Sequence, residues 1–198
     1  MTADDGRLLP PPTRLLTGDE PITGTQGSVR DFWAWALSDL RANTVRPMLA
    51  EFLVAQALGA ATRPRIEWDA YDVETPDGVR VEVKSSAYLQ SWAQARPSSI
   101  TFGGLNGRTW DAVTGYAASA TYNADVYVFA LASARDHASY DPLDPAQWTF
   151  WVLPRRTVER IGQKSLALSR VEALAGAHVR YDRLADAVHA AAGPADVV

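Results

Sequence analysis

Cysteine is absent from this chain of 198 residues, and lysine is nearly absent. The lack of cysteine excludes disulfide bonds and thiolate metal ligands, and it agrees with a cytoplasmic location. No apolar run approaches the length of a membrane span, and the N-terminus lacks the basic and then apolar pattern of a signal peptide. The three histidines have no metal-ligand spacing, and a phosphate-binding loop with its lysine is missing. We therefore expect a cytoplasmic protein without a membrane segment.

Only Lys84 and Lys164 are lysines among the nineteen basic residues, and Lys84 ends an unusual run. In residues 79–84 valine alternates with a charged residue, which predicts a half-buried strand with Glu82 and Lys84 adjacent on one face. A lysine ammonium is a compact charge with a tunable pKa, unlike an arginine guanidinium. The pair suggests metal-assisted hydrolysis of a phosphodiester, although Glu-x-Lys on a solvent face is also a common and nearly neutral feature.

The segment before this strand is predicted to form a hairpin with it. Pro76-Asp77-Gly78 indicates a turn, because proline fixes φ and glycine adopts positive φ without strain. With a loop of residues 76–78, Asp72 lies opposite Glu82 and shares its face with Lys84. A two-residue Asp-Gly loop would shift the pairing by one residue and turn Asp72 to the other face. We favour the three-residue loop, because the shorter one makes Pro76 a ladder residue without an N–H donor.

A further carboxylate, Glu51, lies on a predicted helix over residues 44–58, which begins near Asn43 and ends before Gly59. The helix is apolar nearly all round, so we expect Glu51 to be withdrawn from water. A buried carboxylate needs a cation, a metal ion or a raised pKa. An ion pair with Arg46 or another arginine is the alternative to a functional role.

These residues together resemble the PD-(D/E)XK nuclease superfamily, the restriction-endonuclease-like fold, over about residues 43–92. Its pattern is a glutamate on a helix, an aspartate on a strand, and (D/E)-x-K on the next strand. The matching residues in this chain are Glu51, Asp72, Glu82 and Lys84. Gln90 matches a polar residue that often begins the following helix. Tyr71 replaces the proline of the literal motif, which leaves Asp69 as a competitor, but on a regular strand Asp69 would point away from Asp72.

The resemblance implies Mg²⁺ as cofactor, with Mn²⁺ as a substitute, and nucleic acid as substrate, DNA more often than RNA. The implied metal ligands are Asp72, Glu82, the backbone carbonyl of Val83, and Glu51. Lys84 would orient or deprotonate the attacking water and offset charge on the phosphate, and Gln90 would position the nucleophile or a phosphate oxygen. The biology implied is defence, repair or a mobile element. A homodimer or a targeting protein is the expected partner, because no helix-turn-helix or zinc module is recognisable.

Two other functions stay open from the sequence. The chain could be a catalytically inactive nuclease-fold module that binds nucleic acid or scaffolds a complex, or its charged residues could form a structural ion-pair network. The net charge of −4 is contrary to the basic face typical of proteins that bind duplex DNA. Stabilisation by a divalent metal would separate a nuclease site from the other two functions.

The predicted architecture is an α/β sandwich, with helices flanking a mixed central sheet whose first three strands form an antiparallel meander. Residues 1–27, rich in proline and glycine, are predicted to be disordered or loosely packed, and residues 28–198 to form a single nuclease-like domain. The other predicted elements are helices over 29–42, 87–95 and 181–192, and strands over 99–102, 125–131 and 148–153. Core or interface packing is expected for Trp33, Trp35, Trp148 and Trp151.

Overall fold

The computed structural model describes residues 11–67, 69–111 and 113–193, and α-helices and β-strands alternate irregularly along them. The helices are α1 (Val29–Leu37), α2 (Val45–Ala57), α3 (Arg155–Ile161), α4 (Leu168–Ala175) and α5 (Leu184–Ala192). The strands are β1 (Val73–Glu74), β2 (Arg80–Ala87), β3 (Thr101–Gly103), β4 (Trp110–Asp111), β5 (Gly115–Tyr116), β6 (Val126–Ala132), β7 (Trp148–Pro154) and β8 (Ser165–Ala167). Within these ranges, none of the helices combines the length and the apolar character that a bilayer crossing requires.

Four strands form the central sheet in the order β1-β2-β6-β7. The sheet is mixed, because β1 and β7 run antiparallel to their neighbours whereas β2 and β6 run parallel. The prediction of an antiparallel meander over the first three strands is wrong, since β3 leaves this sheet and pairs with β8. All seven residues of β6 are buried, so this strand needs neighbours and covered faces on both sides, and it takes the central position beside β2.

Each face of the central sheet packs against its own layer. Helices α2 and α5 cover one face, where the side chains of Val81 and Val83 enter the core. The β3–β8 pair and helices α3 and α4 cover the other face, around Tyr127 and Phe129. Because side chains alternate along a strand, Glu82 lies on this second face, beside the short edge strand β1.

The hairpin of β1 and β2 has the predicted three-residue loop. Val73 lies opposite Val81 and Glu74 opposite Arg80, and continuing this register by one residue places Asp72 opposite Glu82. Gly78 donates its N–H to the carbonyl of Thr75 (2.9 Å) with φ at +87°, a value that favours glycine. The register prediction is therefore confirmed.

The predicted helix over residues 87–95 is wrong. Strand β2 runs on to Ala87, and the segment that follows is held by bonds between side chains and the backbone. The side-chain oxygen of Gln94 accepts from the N–H of Gln90 (2.7 Å), and its amide nitrogen donates to the carbonyl of Tyr88 (3.3 Å). Ser98 donates its N–H to the same carbonyl (2.9 Å), so local polar contacts replace the helical ladder here.

The N-terminal part of the described chain packs only lightly. Residues 1–10 of the segment predicted to be loosely packed lie outside the described residues, and the division at residue 27 stays a prediction. Helix α1 begins with a capping box between Ser28 and Asp31, but none of its residues is buried. Trp35 is 85% exposed and Trp33 37%, so the core is wrong for both and interface packing stays a prediction, whereas Trp148 and Trp151 lie in the core.

Candidate active site

Strand β2 holds Glu82 and Lys84 side by side on the second face of the sheet. The ammonium of Lys84 forms an ion pair with Oε1 of Glu82, and only 21% and 16% of the two side chains are exposed. The loop after β3 passes over Lys84, because a Cβ placed on Gly104 would lie 3.7 Å from Nζ. The pair is thus enclosed by the sheet below and by the loop at Gly104 above.

Asp72 joins this pair from the end of β1. Its Oδ2 accepts from the N–H of Val83 at 2.7 Å, and its own N–H donates to the carbonyl of Val81 at 3.1 Å. The Asp72 carboxylate therefore accepts the hydrogen bond of the Val83 N–H at a point where β1 has ended and offers no backbone carbonyl to pair with it. This contact holds the Asp72 side chain against β2 at the edge of the sheet.

Glu51 reaches the same region from α2 and is buried. Both of its oxygens contact Arg65, Oε2 through Nε and Oε1 through Nη2 at 3.3 Å. The predicted arginine partner thus exists, and it is Arg65 in the loop after α2 rather than Arg46. Burial raises the pKa of Glu51 above its usual value and Asp72 adds to the rise, although Arg65 and Lys84 oppose it.

The cluster carries more negative than positive charge, with carboxylates at Glu51, Asp72 and Glu82 against Lys84 and Arg65. Burial, followed by repulsion from Asp72, raises the pKa of Glu82 to about 7, although Lys84 opposes the change. Burial alone would lower the pKa of Lys84, but Glu82, Asp72 and Glu51 outweigh it, so the pKa is raised. Lys84 is therefore an ammonium at neutral pH, in a site that favours an additional positive charge.

Gln90 lies in a different set of contacts. Its amide nitrogen donates to the carbonyl of Ala87 (3.3 Å) and to Oγ of Ser98 (3.0 Å), and its oxygen accepts from Nη2 of Arg46 (3.3 Å). The structure therefore brings Glu51, Asp72, Glu82 and Lys84 together, and it directs the described side-chain bonds of Gln90 to α2 and to its own loop. The catalytic role predicted for Gln90 stays a prediction.

Two clefts meet at Asp72. The first, of about 250 Å³, is largely apolar, with Phe52 and Ile66 in its walls beside Glu51. The second, of about 220 Å³, has Asp72 and Glu82 on one side and the segment 104–110 on the other, and we call it the carboxylate cleft. Both of these carboxylates therefore line the same cleft.

The carboxylate cleft offers oxygen donors of the kind that magnesium uses, without a complete set of protein ligands. Across the described ranges, no group of three or more histidine, cysteine, aspartate or glutamate side chains is arranged to hold a metal ion. Mg²⁺, however, is commonly bound by one or two carboxylates together with water and substrate phosphate. Asp72 and Glu82 supply two such carboxylates in this cleft.

Two residues of this site were not predicted from the sequence. Arg65 pairs with Glu51, and Tyr127 lies beside Glu82 across the β2–β6 ladder and lines the carboxylate cleft. Burial and the nearby Glu82 raise the pKa of the Tyr127 phenol. The aromatic and β-branched run of β6 predicted the strand that carries Tyr127, but no local signal indicates that it pairs with β2.

One comparison with known proteins gave a match. A family described as bacteriophage T4 endonuclease IV matches residues 34–169, more than two thirds of the chain. The matched range contains α2, the hairpin, β6, β7 and all the charged residues of the cluster. No curated protein matches the chain, and no solved structure matches it either.

Proposed function

Because the chain belongs to the bacteriophage T4 endonuclease IV family, a family of DNA nucleases, we propose that it is a divalent-metal-dependent endonuclease of the PD-(D/E)XK type. The centre of the reaction is the cluster of Asp72, Glu82 and Lys84. The observation that carries the proposal is the hairpin register, which combines with the alternation of β2 to place these side chains together. A hydrolase for phosphodiesters needs such a set of oxygen ligands beside a fixed cation.

Asp72 and Glu82, together with the carbonyl of Val83, would hold Mg²⁺, or Mn²⁺ in its place. Glu51 would join them directly or through water after leaving Arg65. Bound there, the ion would polarise the scissile phosphate and lower the pKa of an attacking water. Burial and then repulsion from Asp72 raise the pKa of Glu82, and the repulsive part would fall with the ion bound, because the ion compensates the surplus negative charge.

Lys84 would act as a positioned cation. Its raised pKa keeps it protonated, which favours donating hydrogen bonds to the water and to a phosphate oxygen over removing a proton. The ion pair with Glu82 holds the ammonium in place before substrate binds, and the loop at Gly104 passes close to it. Such preorganisation means that no rearrangement is needed when negative charge develops on the phosphate.

A catalytically inactive module is the second candidate, and one observation favours it. Glu51 is already paired with Arg65, and Glu82 with Lys84, as in a structural ion-pair network. Such a module would bind DNA or a partner protein in the carboxylate cleft without cleaving. Metal dependence distinguishes the two candidates, because an ion-pair network gains nothing from Mg²⁺.

The test is cleavage of labelled single-stranded DNA, double-stranded DNA and RNA, with Mg²⁺, with Mn²⁺ and with a chelator. We expect the wild type to cleave DNA only with metal, and Asp72→Asn to lose about a hundredfold or more of the rate. Asp77→Asn is the matched control, because Asp77 lies in the exposed turn of the same hairpin. No cleavage with any divalent metal, together with unchanged thermal stability on adding metal, would establish the inactive module instead.

A further inference from the structure

A two-stranded ribbon forms the far wall of the carboxylate cleft. Its described residues are 107–111 and 113–121, and Gly107 and Thr121 exchange both backbone hydrogen bonds at 3.1 and 2.9 Å. Further along, the N–H of Ala117 donates to the carbonyl of Thr109 at 2.9 Å. At its base Leu105 is buried and donates its N–H to the carbonyl of Lys164 (3.1 Å). The ribbon is thus a hydrogen-bonded element anchored beside the site.

The ribbon presents two aromatic residues to the cleft. Trp110 and Tyr116 lie directly opposite each other in the β4–β5 pair, so their side chains share one face of the ribbon. They are 48% and 58% exposed, and both line the cleft that contains Asp72 and Glu82. Large aromatic side chains left open to water at the wall of a polar cleft indicate a binding surface.

We propose that Trp110 and Tyr116 form a nucleobase subsite, on which a base next to the scissile phosphate stacks once it has left the DNA stack. The proposal rests on the proposed function, because Asp72 and Glu82 place the scissile phosphate in the same cleft. Aromatic rings accept any base through its π-face, so this subsite positions the strand without selecting one sequence. Exposed Arg108, whose Nη2 donates to the carbonyl of Ala118 (3.0 Å), adds positive charge on the ribbon for the backbone.

The charge of the chain supports stacking as a main source of affinity. A net charge of −4 gives little of the counterion release that dominates binding by basic proteins. The carboxylates of the cleft also repel a phosphate until positive charge is added. Stacking depends on neither term, and the removal of one stacking ring typically weakens binding by about tenfold.

The experiment measures binding of fluorescein-labelled DNA oligonucleotides to the full chain in a chelator, so that no cleavage occurs. We expect Trp110→Ala and Tyr116→Ala each to weaken the Kd by roughly tenfold, and Trp110→Phe to retain most of the affinity. Trp35→Ala is the matched control, because Trp35 is a more exposed tryptophan on α1, outside both clefts. Circular dichroism of each variant establishes that it is folded.

A second arm removes one base at a time from the oligonucleotide. For the wild type, removing the base at one position should weaken the Kd by about as much as Trp110→Ala does. For Trp110→Ala, removing the base at that same position should leave the Kd almost unchanged. The same series on duplexes with a single unpaired position distinguishes a base extruded from a duplex from a base of a single strand. Coupling in either substrate supports the subsite.

Binding by Trp110→Ala and Tyr116→Ala that equals the wild type would overturn the subsite. So would a loss that is the same for every abasic oligonucleotide, and so would variants that change only self-association, which would assign the rings to a protein interface. The two proposals fail separately. Coupled binding without any metal-dependent cleavage refutes the nuclease and leaves the two rings as a base-binding surface only. Cleavage that is unaffected by both alanine variants refutes the subsite alone.

Discussion

Two ion pairs involve the same face of β2, with their cations Arg80 and Lys84 four residues apart, and they differ in the balance of charge around them. Asp125 accepts from Arg80 three times, from the backbone N–H (3.0 Å), from Nε (2.9 Å) and from Nη2 (2.6 Å). Side-chain hydrogen bonding to Arg80 lowers the pKa of Asp125 below its usual value. Glu82, paired with Lys84, has its pKa raised to about 7 by burial and by Asp72.

The difference lies in the balance of charge around each pair. Arg80 and Asp125 form a one-to-one pair with good geometry, and 42% and 34% of their side chains remain exposed. Lys84 is shared among Glu82, Asp72 and Glu51 in a more buried place. A pair of the first kind is complete as it stands, whereas the second gains from an added cation. This contrast separates a structural ion pair from a candidate site better than the residue types do.

The largest expected effect comes from exchanging the cation in each pair. Lys84→Ala should lower the DNA cleavage rate by about a hundredfold or more, the range for one positioned catalytic group, with the fold retained. Lys84→Arg should fail to restore the rate, because a planar guanidinium does not fit the place of an ammonium. Arg80→Lys should change the rate less than about threefold, since it alters only the structural pair. Wild-type cleavage by Lys84→Arg would show that Lys84 supplies charge alone.

Metal binding should distinguish the pairs next. With Mg²⁺ at about a hundred times its Kd, the free energy of unfolding of the wild type should rise by about 2.7 kcal/mol. Asp72→Asn should abolish this gain while keeping the contact to the Val83 N–H, because asparagine still offers a carbonyl oxygen. Asp125→Asn should keep the full gain. Thermal melts of all three proteins, in Mg²⁺ and in a chelator, measure the stabilisation by the metal. Stabilisation of Asp72→Asn by Mg²⁺ would exclude Asp72 as a ligand.

The pH dependence of stability should differ as well. The pKa of Glu82 is about 7 in the folded protein against an ordinary value of 4.5, so the folded state binds the proton more tightly than the unfolded state. The free energy of unfolding of the metal-free protein should therefore fall as pH rises from about 4.5 to 7. Glu82→Gln should reduce this fall, leaving the part that comes from Glu51, and stabilise the protein by about 2 kcal/mol above pH 7. Urea titrations at several pH values measure the free energy of unfolding, with Glu172→Gln, at an exposed position, as the control. A pH profile of Glu82→Gln that equals that of the wild type would contradict the prediction.

The smallest effect is expected at Asp125, and its sign is opposite. The pKa of Asp125 is lower in the folded protein than in the unfolded chain. Ionised Asp125 therefore stabilises the protein at pH values above its unfolded-state pKa, and this contribution is lost as the pH falls through its folded-state pKa. Asp125→Asn should destabilise the protein by about 1 kcal/mol at neutral pH, because water screens this partly exposed pair. The same urea titrations apply, and stabilisation by Asp125→Asn would show that the two pairs are alike.

Local patterns predicted those parts of the fold that depend on near neighbours in the chain. The helix containing Glu51 followed from its apolar spacing, and the strands β6 and β7 from their aromatic and β-branched runs. The hairpin register followed from the missing N–H of Pro76, which also brought Asp72 to the face of Glu82. Each of these features depends on residues that are near one another in the chain, so the turn residues and the apolar pattern are enough to predict it.

Features that depend on distant segments, or on how an irregular loop folds, were missed. The position of β6 beside β2 depends on a parallel pairing across more than forty residues, which no local pattern encodes. Arg65 pairs with Glu51 from a loop, and side-chain bonds of Gln94 replace the helix expected around Gln90. Trp110 and Tyr116 lie opposite each other only because the ribbon folds back on itself.

The bond from the Val83 amide to Asp72 gives the molecule its own spectroscopic reporter. An amide proton held by a carboxylate resonates at a position that depends on the negative charge of its acceptor. Any ligand that binds Asp72 withdraws that charge and lengthens or redirects the 2.7 Å contact. In protein with nitrogen-15 in its valines, a change in the chemical shift of the Val83 amide therefore reports that the site is occupied. The measurement needs no reaction and no label placed in the cleft.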